Sequence, residues 1–276
     1  MTGSRVSTLV LATLALAGCS AVASAPLVEV VAGVAVLDES SVTVTFPLTS
    51  RMLSLDEQNT LARAQDLLLE DCLESAGVPS EVPDRLAVPA PPYPFSSFGP
   101  WVLESAAVYG YELPIPESGS NPLAEWESRL SEQQLAAASE CMESDEWQTL
   151  DITELMNLGA SVRGERESYE WASQNPAWIE ARDQYQHCMK SAGYTFTDDE
   201  PFIPASSVSA AGEQAILIAL DDVGCKNQTD LVQRLADVVA AYELDFIARN
   251  EAALLEEQKQ KQAKLDAADA IIANRS

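Results

Sequence analysis

Residues 175–193 read NPAWIEARDQYQHCMKSAG and predict the helix around which the chain is organised. Asn175 suits the N-cap, because its side-chain oxygen can accept a free backbone N–H, and Pro176 suits the first helical position. An inner face is predicted by residues that recur every three or four positions: Trp178, Ala181, Tyr185, Cys188 and Ala192. Gly193 favours the left-handed conformation that ends a helix. Cys188 is therefore expected to point inward as a structural residue.

The end of this helix matches the end of an earlier one. Cys188-Met189-Lys190-Ser191-Ala192-Gly193 and Cys72-Leu73-Glu74-Ser75-Ala76-Gly77 share their cysteine, serine, alanine and glycine. A partial third copy, Cys141-Met142-Glu143-Ser144, lacks the glycine. Short self-matches are weak evidence for a repeat, so chance similarity is one explanation. The other is a duplicated helical unit, with Cys72 and Cys141 in one half and Cys188 and Cys225 in the other.

The N-terminal residues have the features of an export signal. An apolar run from Leu9 to Leu16 follows a short basic start, and it is too short for an ordinary transmembrane helix. Leu16-Ala17-Gly18-Cys19 resembles the lipobox of bacterial lipoproteins, which implies a signal peptide over residues 1–18 and lipidation of Cys19. Acyl chains on Cys19 would anchor the protein at the outer face of the cell membrane. The alternative is cleavage after Ala23-Ser24-Ala25, which would release a free secreted protein.

Export changes the interpretation of the other cysteines. When Cys19 is assigned to the lipid, an even number remains: Cys72, Cys141, Cys188 and Cys225. Such a set in an exported protein predicts two disulfides, with three connectivities that sequence cannot separate. The repeat favours Cys72–Cys141 and Cys188–Cys225. A zinc site is disfavoured, because no Cys-x-x-Cys is present and His187 is the only histidine. We therefore expect no metal and no cofactor.

The charge of the chain restricts its partners. The formal net charge is -27, from 43 acidic and 16 basic residues. A chain this acidic repels phosphate backbones, so nucleic acid and anionic membrane surfaces are poor partners. Solubility outside the cell explains the charge most simply, although cationic ligands and divalent ions also fit it.

Residues 19–53 are predicted to form a lipid-anchored N-terminal segment with a small β-hairpin. Val44 and Phe46 alternate with threonines, the apolar stretch from Val34 to Val36 lies upstream, and Asp38 to Ser41 suit the turn. One hairpin alone is marginal in water. We therefore expect it to pack on helices or on a partner.

Residues 54–225 are predicted to form a disulfide-linked helical domain. Capping boxes start helices at two places: Ser54 with Glu57, and Ser131 with Gln134. The run from Ala210 to Val223 is strongly apolar, so we expect it to form a deeply buried helix.

Residues 226–276 are predicted to form a long C-terminal helix, capped by Thr229 and ending near Ala273. Its inner stripe consists of Leu231, Leu235, Val238, Tyr242 and Phe246. This stripe fades after Leu255, so the helix is expected to project from the body or to pair with another envelope protein. A frayed tail is the alternative.

A proline-rich stretch from Val78 to Trp101 excludes a continuous helix. Its aromatic residues form a candidate loop for binding sugars or peptides: Tyr93, Phe95, Phe98 and Trp101. We favour the alternative in which the rings pin the loop onto the protein, because large exposed apolar patches are uncommon.

Several catalytic chemistries are excluded by missing residues. With His187 as the only histidine, a paired-histidine zinc site cannot be built, and the chain contains no nucleophile-elbow, phosphate-loop or dinucleotide motif. We therefore assign no catalytic residue. Carboxylate-pair chemistry stays open, because 43 acids make many pairs available and none specific. The enzyme hypothesis is thus a hydrolase acting on cell-wall glycan.

Short motifs along the mature chain resemble one family. They are Val44-Thr45-Phe46-Pro47-Leu48, Ala62 to Gly77 with Cys72, Cys188-Met189 ahead of Gly193-Tyr194, and Ala219-Leu220-Asp221-Asp222 before Cys225. The pattern is similar to uncharacterised lipoproteins of actinobacterial cell envelopes. The resemblance implies export, structural cysteines and a helix-rich body, and it assigns no catalytic residue. Taken together, the sequence predicts a mainly α, disulfide-stapled envelope lipoprotein that acts as a non-catalytic binding or accessory component.

Overall fold

The computed structural model describes residues 26–78, 80–83, 98–112, 122–197 and 200–275. They form a mainly α-helical fold with one two-stranded sheet, as the sequence predicts. The strands are β1 (Val36–Asp38) and β2 (Thr43–Thr45). The helices, in chain order, are α1 (Leu55–Ser75), α2 (Leu103–Tyr109), α3 (Pro122–Arg129), α4 (Glu132–Met142), α5 (Asp145–Thr149), α6 (Thr153–Leu158), α7 (Ala160–Ala172), α8 (Pro176–Ser191), α9 (Glu213–Thr229) and α10 (Leu231–Ala273). Short 3-10 turns occur at Thr49–Arg51 and Ala205–Ser209.

Helix α10 is the element against which the rest of the fold packs. Helices α1, α7 and α8 all contact it. Its predicted inner stripe is confirmed, because every member is buried: Leu231, Leu235, Val238, Tyr242 and Phe246. Trp178 and Tyr185 of α8 enter the same apolar cluster. The first half of α10 therefore forms the centre of the main core.

The second half of α10 lies against the body, so the predicted projection is wrong. Ala64 of α1 packs with Ala268 of α10 in a separate apolar cluster. Lys261, in the second half of α10, is only 5% exposed. Its ammonium donates a hydrogen bond to Met52 O at 3.1 Å and forms an ion pair with Glu57 at 3.3 Å. Polar contacts to distant backbone therefore hold this half of the helix in place. The periodicity of apolar residues in the sequence does not predict such contacts.

Predicted helix ends are confirmed at several points. Ser54 accepts from Glu57 N at 3.2 Å, and the Glu57 carboxylate accepts from Ser54 N at 2.8 Å. The same reciprocal pair starts α4. Asn175 caps α8 by accepting from Ala177 N at 2.9 Å. After α8 the chain turns at Gly193 with φ +94°, a conformation that a side chain would strain.

The junction between α9 and α10 differs from its prediction. Helix α9 continues through Cys225 and ends at Thr229. Thr229 does not cap α10, because its hydroxyl donates to Cys225 O at 2.8 Å. Asp230 joins the two helices in a left-handed conformation, with φ 52° and ψ 35°. Aspartate tolerates this conformation better than most residues, so the turn needs no glycine.

The buried face of α8 is rotated from the predicted face at its C-terminal end. Three predicted inner residues are buried: Trp178, Ala181 and Tyr185. The next buried position is Met189, whereas Cys188 is half-buried and Ala192 is exposed. Adjacent positions differ by about 100° around a helix. Cys188 therefore lies at the edge of the core, where it meets Cys225.

Two disulfides join helices in the pairing that the repeat favours. Cys72–Cys141 links α1 to α4, and Cys188–Cys225 links α8 to α9. The paired cysteines are separated by 69 and 37 residues. Chain-entropy reasoning assigns about 4 kcal/mol of stabilisation to loops of this length.

The predicted hairpin is present and packs on α10. Its strands are antiparallel, with Leu37 opposite Val44. The segment before β1 is fixed by the carboxylate of Asp237, which accepts three consecutive backbone N–H groups at 2.8, 2.9 and 3.1 Å: those of Gly33, Val34 and Ala35. Gln233 adds a bond to Ala35 O at 3.0 Å. One buried carboxylate thus holds the N-terminal segment on the core.

We expect Asp237→Ala to destabilise the protein and to loosen the hairpin. Its removal leaves three backbone N–H groups without an acceptor, which should lower the free energy of unfolding by about 1 to 3 kcal/mol. Urea unfolding measures this loss, and hydrogen exchange should show faster exchange at Val34 and Ala35.

The matched control is Asp269→Ala, an exposed aspartate on the same helix. It should leave the free energy of unfolding within about 0.5 kcal/mol of the original value. Equal losses in the two variants would contradict the assigned role of Asp237.

Candidate functional site

The site residues predicted from the sequence lie in different environments in the fold. The four bridging cysteines form the two disulfides. Phe98 and Trp101 are 1% and 4% exposed, so both are core residues, which agrees with the favoured alternative in which the rings pin the loop onto the protein. Phe98 packs against Trp178 with ring centroids 6.1 Å apart. Cys19, Tyr93 and Phe95 lie outside the described residues.

A buried polar cluster on α9 fixes the segment that contains Trp101. Asp222 is fully buried and accepts three hydrogen bonds: from Tyr185 Oη at 2.6 Å, Tyr111 Oη at 2.6 Å and Lys226 Nζ at 2.8 Å. Lys226 Nζ also donates to Pro100 O at 2.8 Å. The cluster therefore ties α8 and α9 to the chain on both sides of α2.

Burial dominates the acid–base properties of this cluster. It raises the pKa of Tyr111 and Tyr185, and the negative charge of Asp222 raises them further. Burial also lowers the pKa of Lys226, which its contact with Asp222 opposes. Because Asp222, Tyr185 and Lys226 are each at most 1% exposed, no ligand can reach them. The cluster positions helices and does not form a reaction centre.

A groove of about 1060 Å³ runs along the outer side of α8. Its apolar lining comes from Pro176, Ile179 and Cys188 of the second disulfide. Its polar lining on α8 includes Glu180, Asp183 and His187. The end of α9 contributes Gln228, whose Oε1 lies 3.6 Å from Cys188 Sγ. The disulfide thus forms part of the groove wall and fixes the two helices that border it.

The rim of the groove carries carboxylates that remain accessible. The side chains of Glu180 and Asp183 are 67% and 60% exposed. Arg182 pairs with Asp183 at 2.8 Å, while Arg234 of α10 lies 4.0 Å from Glu180 and donates to Gln184 at 2.6 Å. Such exposed pairs contribute little free energy. A cationic group on a ligand could therefore replace these arginines.

The sequence did not identify this groove, because its lining residues occupy the face of α8 opposite the core. The sequence contains a weak indication of the buried cluster, because Asp222 and Lys226 stand four residues apart in a largely apolar helix. Such spacing places the two charges on one face. Nothing in the spacing indicates that Tyr111 and Pro100 complete the cluster from a distant segment.

Within the described ranges, no group of three or more His, Cys, Asp or Glu side chains is arranged to hold a metal ion. Among those same ranges, every helix is too short or too polar to cross a bilayer. Comparison of the chain with family models, curated proteins and solved structures gives no match.

Glu243 of α10 is a buried carboxyl away from the groove. It is 1% exposed, and its Oε2 accepts from Leu48 N at 2.7 Å. Burial raises its pKa to about 7, the charge of Glu165 adds to the rise, and the bond from Leu48 opposes it. This carboxyl consequently gains or loses its proton near neutral pH.

We expect Glu243 to make the protein less stable as the pH rises from about 4.5 to about 7. Over that window the folded state keeps a proton that the unfolded chain releases, so stability falls with increasing pH. Glu243→Gln removes this dependence and keeps an acceptor for Leu48 N. Relative to the original protein, the variant should gain on the order of 3 kcal/mol in free energy of unfolding between about pH 4.5 and about pH 8.

Urea unfolding at several pH values measures this difference. Glu251→Gln, an exposed position on the same helix, is the control. The control should follow the pH profile of the original protein. A Glu243→Gln profile parallel to that of the original protein would contradict the assignment.

Proposed function

We propose that the chain is an exported lipoprotein, anchored through Cys19 at the outer face of the cell membrane. The lipobox-like sequence at residues 16–19 supports the anchor. Two disulfides between helices support an oxidising compartment outside the cytoplasm, because such bonds are rare in reducing ones. The protein acts as a non-catalytic binding component of the envelope.

Substitution of the lipid-bearing residue tests the anchor. Cys19→Ala should move the protein from the membrane fraction to the soluble extracytoplasmic fraction, because no thiol remains for acylation. Fractionation and intact-mass analysis measure the change, and Ser20→Ala is the matched control. Equal membrane recovery of the original protein and Cys19→Ala would show that the anchor lies elsewhere.

The groove beside α8 is the single observation that carries the binding function. Its lining includes Ile179 and the disulfide, which offer apolar contact, and its rim contains Glu180 and Asp183, which offer negative charge. The whole chain has a net charge of -27, so a basic partner is attracted over distance as well as at the groove. We assign the groove to a basic, amphipathic polypeptide segment of another envelope protein.

The groove suits this partner better than the C-terminal helix does. The apolar stripe of α10 is covered by its own chain, with Phe246 and Leu254 both buried. The exposed residues of α10 beyond Asn250 are mostly charged residues, glutamines and alanines, with Leu255 as an exposed large apolar residue. By contrast, the groove combines apolar surface and carboxylates in one concave site, which is typical of peptide recognition.

Site-specific cross-linking in intact envelopes tests the partner. A photoreactive amino acid at Ile179, in the groove, should cross-link to a segment rich in Lys and Arg, identified by mass spectrometry of the joined peptides. Glu180→Lys with Asp183→Lys should reduce that product at least tenfold, because both favourable charges are reversed. The same photoreactive amino acid at Leu255 tests whether a partner binds to α10 instead.

Other outcomes would reject the assignment. Products at position 255 and none at 179 would move the partner to α10. A product at 179 that is unchanged by the charge reversal, or that joins an acidic segment, would contradict a basic partner. Release of wall-glycan fragments by the purified protein, lost on neutralising one carboxylate, would instead support the hydrolase alternative.

A further inference from the structure

A second cleft, of about 390 Å³, lies between α7 and α10 on a different part of the molecule. Helix α7 lines it with Arg163, Arg166 and Glu170, and Trp171 stands beside them. Helix α10 contributes Phe246 and Asn250. This volume is within the range of small-molecule sites. The cleft thus joins aromatic surface to charges of both signs.

The charged groups of this cleft differ in whether they are already paired. Arg249 is held between two carboxylates, Glu167 at 2.9 Å and Asp245 at 2.8 Å, and its guanidinium stands 5.2 Å from the Trp171 ring. Arg163 and Arg166 have no ion pair with any described residue. Arg249 therefore forms a fixed back wall, while the other two guanidiniums are available to a ligand.

The spacing of charged residues along α7 would allow Arg163 and Arg166 to form ion pairs within the helix. Residues four apart on a helix commonly pair, which would join Arg163 to Glu167 and Arg166 to Glu170. Neither pair forms: Glu167 turns to Arg249 instead. The Glu170 carboxylate also has no cationic partner in the part of the chain that the structure describes. Two positive groups and one negative group are thus left facing the same cleft.

Helix α10 is distorted where it borders the cleft. Asn250 has non-helical backbone angles, φ -124° and ψ 21°, within an otherwise continuous helix. Its side-chain Nδ2 donates to Phe246 O, one turn earlier in the helix, at 2.9 Å. The amide oxygen of Asn250 is then an additional hydrogen-bond acceptor at the cleft.

We propose that this cleft binds a small zwitterion, namely an amino acid or short peptide with a free carboxylate and a free ammonium. Arg163 and Arg166 bind the carboxylate, because guanidinium groups match its geometry. Glu170 and the amide oxygen of Asn250 bind the ammonium. The apolar part of the ligand lies against Trp171, whose ring is half-buried at the cleft.

The charge of the protein favours a zwitterion over a simple anion. A multiply charged anion would meet the repulsion of a chain with net charge -27. A neutral zwitterion meets no such repulsion and satisfies the unpaired groups of both signs. This site is separate from the groove beside α8, so its test does not depend on the proposed peptide partner.

Three matched ligands test the proposal in calorimetric titrations of the purified full chain. L-Phenylalanine carries both charges, phenylalaninamide lacks the carboxylate and N-acetylphenylalanine lacks the ammonium. We expect L-phenylalanine to bind at least about tenfold more tightly than either analogue, because each analogue loses one charge-assisted contact. Alanylphenylalanine, which carries both charges on a longer backbone, should bind as well.

Two variants assign the contacts. Arg166→Gln should weaken L-phenylalanine binding about tenfold and leave phenylalaninamide binding unchanged. Glu170→Gln should weaken L-phenylalanine binding and leave N-acetylphenylalanine binding unchanged. Arg129→Gln, an exposed arginine on α3, is the control. Thermal unfolding of each variant confirms that it is folded.

Each remaining outcome overturns the proposal. Absence of binding by both L-phenylalanine and alanylphenylalanine would remove the site. Equal binding of L-phenylalanine and its two analogues would show that the charges play no part. A loss in Arg129→Gln as large as that in Arg166→Gln would show that net charge, rather than this cleft, determines affinity.

Discussion

The fold depends on the burial of the first half of α10 on every side. Residues 235–243 are buried without interruption, so neighbours must surround this helix completely. A polar side chain in such a helix needs a partner, because an unpaired one is costly. Asp237 and Glu243 find theirs in the backbone of the N-terminal segment, at Gly33 to Ala35 and at Leu48. The two carboxylates thereby fix an extended segment whose apolar side chains, such as Val34 and Phe46, also pack against the main core.

Several of the scarce basic residues join separate segments of the structure. Only 16 Lys and Arg residues accompany 43 acids, and Lys226 and Lys261 are buried where they bind carbonyl oxygens of distant segments. Such buried ammonium groups are stable only when they are paired. Arg234 and Arg249 in turn join α10 to α8 and α7. Arg163 and Arg166 of α7 line the second cleft without such a partner among the described residues, and the groove beside α8 keeps its negative rim.

Local signals allowed much of the fold to be predicted, and non-local contacts account for what was missed. The capping box at Ser54, the cap at Asn175 and the cysteine pairing each depend on a few neighbouring or repeated residues. The packing of the second half of α10 depends on contacts such as Glu257 to Ser161 N at 2.9 Å, across 96 residues of sequence. No periodicity encodes such a bond. Both candidate sites are also formed by outer helix faces from separate elements, which a single stretch of sequence does not reveal.

In the proposed lipid-anchored state, the hydrogen bond from Tyr242 Oη to Pro26 O, at 2.9 Å, would limit the distance between the body of the protein and the bilayer. Pro26 lies seven positions after Cys19, and a fully extended chain of that length spans about 25 Å at most. With acyl chains on Cys19, the segment from Cys19 to Pro26 would be about as long as α8. The body of the protein would consequently stay close to the lipid headgroups. It could contact only those envelope components that lie in the same layer.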